Sequence, residues 1–222
     1  MFVPSLPLGH QAVVTSPQLQ LRTTPWTVDE FKRQLLTRDL DDFVREVVLA
    51  SEAAHFGVDE HDYVKVRIAE SFGVEVSDVQ LWIVGSAKVG FSLMEKRVGN
   101  NLLPAFRPFS AASDVDVAVV CTAIFNSIWT ELSRYANRSP VMPWNSGKLG
   151  DYLVHGWLRP DQFPRGKLIK CNLWWDIFRR FSTDRRLGRR KLRGGIFQSV
   201  DDLLLYQKRG FKRCLKELEI SA

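Results

Sequence analysis

The sequence predicts an α+β fold: a small mixed β-sheet flanked by helices, with helical extensions at both ends. Two observations predict the sheet and one predicts the helices. The runs "VQLWIVG" (79–85) and "DVDVAVVCTAIF" (114–125) are short, rich in β-branched residues, and bounded by turn chemistry. Around them lie longer segments whose apolar residues recur at steps of three and four, the helical period. At 45% hydrophobic and 25% charged over 222 residues, the chain has the composition of a globular protein with one large core.

The elements follow in order. Residues 1–26 read as an arm; they lack the basic start and long apolar block of a secretory signal. Thr27 caps a helix over "VDEFKRQLL", with Glu30 three residues on as in a capping box. A second helix covers "DLDDFVREVVLASEAAHF" (39–56), with Leu40, Phe43, Val44, Val47 and Val48 on one face. A third, "DEHDYVKVRIAESFG", stops at Gly73. After the first strand, "SAKVGFSLMEK" (86–96) predicts a short helix and "RVGNNLLPAFRPFSAAS" (97–113) a loop. The second strand leads into the helix "AIFNSIWTELSRYA", with Ile124, Ile128, Trp129 and Leu132 on one side. "RSPVMPWNSGKLG" (138–150) reads as a loop, and residues 151–181 as helix with a turn at "RPDQFPRG". "RKLRGGIFQS" predicts a strand pair or a strand bulged at Gly194-Gly195. An amphipathic helix capped by Ser199 closes the chain. The organisation is therefore an arm (1–26) and one domain (27–222): a helical lead-in (27–75), a core with both strands (76–137), and a helical, basic remainder (138–222).

Charge and composition narrow the function. The net charge is +6, and the excess gathers in "RRFSTDRRLGRRKLR", from Arg179 to Arg193, where Asp184 is the only acid. Such a stripe attracts nucleic acid, nucleotide phosphates or an acidic protein partner, or it is a solvated face. No apolar stretch reaches the roughly 20 residues of a membrane span, so no membrane is expected. Three widely spaced cysteines point to a reducing compartment, hence the cytoplasm. His10, His55, His61 and His155 are scattered without zinc-ligand spacing, and Ser86 has no His/Asp partner set for a hydrolase triad.

The informative feature is a pair of motifs. Gly85-Ser86 ends one strand and opens a helix, where backbone N–H groups can meet a phosphate. Asp114 and Asp116 begin the other strand two residues apart, so both point to one face. Two carboxylates so placed repel unless a cation lies between them, and Mg²⁺ or Mn²⁺ bound with substrate phosphates resolves this.

The ordered pair "VGSAKVG" and "FSAASDVDVAVV", about twenty residues, resembles the nucleotidyltransferase superfamily typified by DNA polymerase β, in its minimal form. The resemblance implies a sheet of nucleotidyltransferase type. It implies that Asp114 and Asp116 bind two divalent metals, that Gly85 and Ser86 hold the β- and γ-phosphates, that Ser113 fixes the turn aiming Asp114, and that Lys88 reaches a phosphate. It implies transfer of an NMP or dNMP from a nucleoside triphosphate to a hydroxyl, with a nucleotide or nucleic-acid acceptor favoured by the basic stripe. By analogy it suggests a bacterial defence or toxin–antitoxin setting. The alternative is a degenerate module that senses a nucleotide or binds a partner without turnover.

Two departures stand out. Residues 87–113 form a longer connection than in compact members, carrying Lys96, Arg97 and Arg107. Active members also carry a third carboxylate on a neighbouring strand. Asp176, between Trp175 and Ile177, is the best local match, ahead of Glu131, Asp151 and Asp161; its segment also reads as a helix in which it pairs with Arg179 or Arg180. The strand "RKLRGGIF" offers Lys191 and Arg193 where an acid is wanted. If it lies beside Asp114, the site is two-carboxylate or degenerate. Trp82, Trp129 and Trp174 read as core; Trp144 and Trp157 as core or base-stacking; Tyr206 as facing either the cleft or the core.

Overall fold

Thr27 accepts a hydrogen bond from the Glu30 N–H at 3.2 Å and starts α1 (Val28–Thr37), whose Phe31 and Leu35 turn inward. In the computed structural model the protein is described over residues 23–139 and 141–221. Most of the expected arm, residues 1–22, lies outside the described residues. Asp39 caps α2 (Leu40–Arg45) through the N–H groups of Asp41 and Asp42. The chain then widens into one π-helical turn over Glu46–Ala50 and stops, six residues short of the expected end. Beyond it, Ala54 and His55 form a turn whose N–H groups donate to the carbonyls of Lys88 and Ala87, which ties this segment to the chain after β1. Next, α3 (Val58–Phe72) ends where Gly73 takes φ +64°, a conformation that favours glycine.

The sheet is mixed, as expected, in an α+β fold. Its four strands are β1 (Gln80–Val84), β4 (Val115–Val120), β6 (Leu192–Phe197) and β5 (Trp157–Leu158), in that spatial order. β1 runs antiparallel to β4, β6 parallel to β4, and β5 antiparallel to β6. Between β1 and β4 come α4 (Ser86–Val89) and a hairpin of β2 (Lys96–Val98) and β3 (Asn101–Leu103). The helix expected over 86–96 lasts four residues because Gly90, at φ +93°, ends it. The hairpin replaces an expected loop. Its strands are almost wholly exposed, so no buried face imposed the alternation that marks a strand.

Beyond β4 come α5 (Thr122–Arg138), α6 (Ser146–Val154), α7 (Ile169–Thr183) and α8 (Val200–Ser221). α6 begins inside the segment expected as a loop, capped by Asn145. Ser199 caps α8 as expected, accepting the Asp202 N–H at 3.1 Å. The sheet lies between two helical layers. Val115, Val117 and Val119 face α3, α5 and α7; Ala118 and Val120 face α1, α2 and α8. Of the expected core tryptophans, Trp174 is fully buried, Trp82 is half-buried, and Trp129 is 38% exposed while Phe125 takes its place against the core.

Gly194-Gly195 makes neither a strand pair nor a bulge. β6 keeps unbroken register with β4, Val117 opposite Gly194 and Ala118 opposite Gly195. Gly194 is required instead by α7: a Cβ there would stand 2.1 Å from Phe178 Cζ.

Candidate active-site cleft

The alternation of β4 that buries Val115, Val117 and Val119 on one face sends Asp116 to the other, towards α8. Register then assigns its neighbours. Val84 of β1 is paired with Asp116 on one side and Arg193 of β6 on the other. Gly85 follows Val84 at φ +65°, and a Cβ there would lie 3.1 Å from Asp116 Oδ2. The turn at Gly85-Ser86 thus approaches the carboxylate as closely as a side chain would allow. Ser113 stabilises the turn before β4: its hydroxyl accepts the Ser110 N–H at 3.1 Å, and its own N–H meets the Ser110 carbonyl at 2.9 Å.

A cleft of about 290 Å³, at the small end for a ligand cavity, opens over these residues. Gly85, Asp116, Arg159 and Arg193 line it, with Trp157 and Tyr206 along one wall and Gln207 beside them. Arg159 leaves the end of β5 and is fixed by two hydrogen bonds to Asp161, 2.8 Å from Nε to Oδ1 and 2.6 Å from Nη2 to Oδ2. Trp157 packs 4.4 Å, centroid to centroid, from both Tyr152 and Tyr206.

Electrostatics sets the two acids apart. Burial, reinforced by the charge of Asp114, pushes the Asp116 carboxyl up to about 6, against the opposing pull of Arg159, Arg193 and Lys96. Asp114 already has cations: Arg193 Nε at 2.8 Å from Oδ2 and Lys191 Nζ at 3.7 Å from Oδ1. β6, which carries Arg193 and follows Lys191, therefore does lie beside the two acids.

The other expected residues fall as follows. Asp176 does not join Asp114 and Asp116; it sits on α7, bonded to Arg165 at 2.6 Å with Arg179 at 3.9 Å. Its neighbours are helical, so the flanking Trp175 and Ile177 signal packing rather than a strand. Glu131 caps α7 through the N–H groups of Ile169 and Lys170, and Asp161 holds Arg159. Asp151 is exposed on α6. Lys88 points away from the cleft. It is 6% exposed, donates to the Ser51 carbonyl, and is lowered to about 8 by burial. Trp144 packs against Tyr135 and Phe163, away from the cleft, whereas Trp157 and Tyr206 line it.

The basic stripe does not form one face. Arg190 turns inward to Glu60 at 2.6 Å, Lys191 and Arg193 serve Asp114, and Arg186 covers the Tyr63 ring. Arg159 and Gln207 were missed at the sequence level. Arg159 was visible only as part of a turn, and Gln207 as a polar position on an amphipathic helix.

Among the described residues no three or more His, Cys, Asp or Glu side chains gather as a metal site. Asp114 and Asp116 fit one hard divalent cation shared with phosphate oxygens. Among the described residues no third carboxylate joins them: the residue paired with Asp116 on β6 is Arg193, which bonds Asp114. A larger cavity, about 930 Å³, lies along β1, where His61 Nε2 donates to the Leu81 carbonyl at 2.7 Å; it contains neither acid. No helix among the described residues is long and apolar enough to cross a membrane. No protein-family model matches the chain, and neither the curated proteins nor the solved structures give a match.

Proposed function

We propose that the cleft binds a nucleoside triphosphate and transfers its nucleotidyl group to a hydroxyl. The observation that carries this reading is the apposition of the Gly85 turn and Asp116 across the β1–β4 register, with Asp114 immediately before the strand. Asp114 and Asp116 would hold one Mg²⁺ or Mn²⁺, which when bound offsets the charge of the triphosphate. Arg159 and Arg193 place two guanidiniums beside Asp116, suited to phosphate oxygens by their planar donor geometry. The hydrogen bonds from Arg159 to Asp161 hold the first guanidinium in position before a substrate arrives. Tyr206 of α8 and Trp157 of β5 form the aromatic wall of the cleft.

A second reading is favoured by one contact. Arg193 neutralises Asp114 from the strand that would supply a third carboxylate, which suits a module that binds a nucleotide without turning it over.

One experiment tests both. Purified protein is incubated with each labelled NTP and dNTP, Mg²⁺ or Mn²⁺, and hydroxyl acceptors, beside Asp114→Asn and Asp116→Asn variants. Products are resolved by mass spectrometry and nucleotide binding by calorimetry. A phosphodiester-linked product that disappears in the variants is expected for the transferase. Binding without product under every condition selects the binding module. Absence of nucleotide binding overturns both.

A further inference from the structure

The strongest unassigned feature is a row of cations on α8. Arg209, Lys212, Arg213 and Lys216 recur at steps of three, one and three, so they share one helix face, and all four are exposed. The stretch "RGFKRCLK" contains no acid. Lys208, on a neighbouring face, is held by Asp41 at 2.5 Å, but among the described residues Lys212, Arg213 and Lys216 have no carboxylate partner. The row also has a direction. Its first member, Arg209, lies over the Tyr206 ring at 5.3 Å, and Tyr206 lines the cleft with Asp116, Arg159 and Arg193.

We propose that this face of α8 binds the phosphate backbone of a single-stranded nucleic acid and leads its end into the Asp116 cleft. The inference rests on the nucleotidyl-transfer reading for the role of that end, but not for the surface itself. Seven residue steps along a helix cover about 10 Å, enough to follow two or three successive phosphates. Through Arg209 the row reaches Tyr206, on the wall of the cleft that holds Asp116, Arg159 and Arg193, so a strand tracking the cations arrives at the mouth of that cleft. Exposed, and with no carboxylate partner for Lys212, Arg213 or Lys216 among the described residues, the row is the kind of positive track on which sequence-independent strand binding depends. The expected stripe at Arg179–Arg193 is a poorer track, because its cations are drawn to Glu60, Tyr63 and Asp114 on different sides.

The test is fluorescence anisotropy with labelled single-stranded RNA and DNA oligonucleotides of about 20 nucleotides, a length that several binding footprints share, titrated across salt concentrations. The variant Lys212→Gln/Arg213→Gln/Lys216→Gln is compared with Arg179→Gln/Arg180→Gln/Arg185→Gln, which removes the same charge elsewhere. Unchanged circular dichroism and melting temperature verify that both variants fold. Expected is a loss of about tenfold or more in the α8 variant only, with the slope of log affinity against log salt shallower by about 2. Equal loss in both variants, or none in the α8 variant, overturns the proposal. So does binding of polyglutamate as tight as that of the oligonucleotides, which assigns the face to an acidic protein instead. Binding of a fluorescent triphosphate, measured in parallel, keeps the two readings apart. If it fails in the wild type while α8-dependent strand binding stands, the cleft reading falls and the surface remains.

Discussion

The two faces of the sheet are built from the same strands and behave as opposites. On the α3/α5/α7 face, β4 presents Val115, Val117 and Val119, and the layer above is aromatic, with Trp174, Phe178 and Phe181 buried. On the α1/α2/α8 face, the same strand presents Asp116 before it reaches Ala118 and Val120, and the layer above opens into the cleft. One face is optimised for burial; the other gives up burial at one end to hold charge. Substitution in the first face should therefore cost stability, whereas removing the charge of Asp116 from the second should add it.

The largest effect is expected for Trp174→Ala. Truncating a fully buried indole should cost about 3–5 kcal/mol, which lowers the melting temperature by roughly 10 °C or more in a chain of this size. Asp116→Asn should act in the opposite direction. The carboxyl is raised to about 6 in the folded state, so ionising it opposes folding; the penalty accumulates as pH rises from about 4 to 6 and is constant above. The variant should be more stable than wild type by up to about 3 kcal/mol at pH 8, with the advantage shrinking as pH falls below 6. Thermal melts across that range read it directly, and a pH-independent difference would remove burial of charge as the cause. The smallest effects compare neighbours. Gly194→Ala drives a methyl into the Phe178 ring and should cost about 1–3 kcal/mol. Gly195→Ala, whose Cβ meets nothing closer than 3.6 Å, should stay within about 0.5 kcal/mol. Equal melting temperatures for these two variants would erase the distinction between the faces at its finest scale.

Much of this architecture was legible because burial writes a period into the sequence. The Thr27 cap, the Gly73 stop and the alternation from Val115 onwards were all readable, and so was the approach of Gly85 to Asp116. What escaped was set by partners distant in sequence. Lys88 reads as a free charge beside a phosphate turn, yet its ammonium is claimed by the carbonyl of Ser51. Asp176 has the flanks of a strand acid but sits on a helix facing Arg165. The hairpin at 96–103 buries too little to leave a pattern. Arg159 enters the cleft only because β5, two residues long, pairs with β6 at Phe197 and Ile196.

The buried Lys88 has a mechanical consequence. Its ammonium clamps α4 to the segment at Ser51, and the neighbouring carbonyls of Ala87 and Lys88 accept the N–H groups of His55 and Ala54. To shift the Gly85-Ser86 turn outwards, the chain would have to strip a charged donor from its acceptor in a water-poor interior and break two backbone bonds with it. The turn is thus stiff before anything binds, and a ligand that fits it gives up little conformational entropy on the protein's side. Selectivity at such a rim comes from shape held in advance, with the moving parts confined to whatever enters.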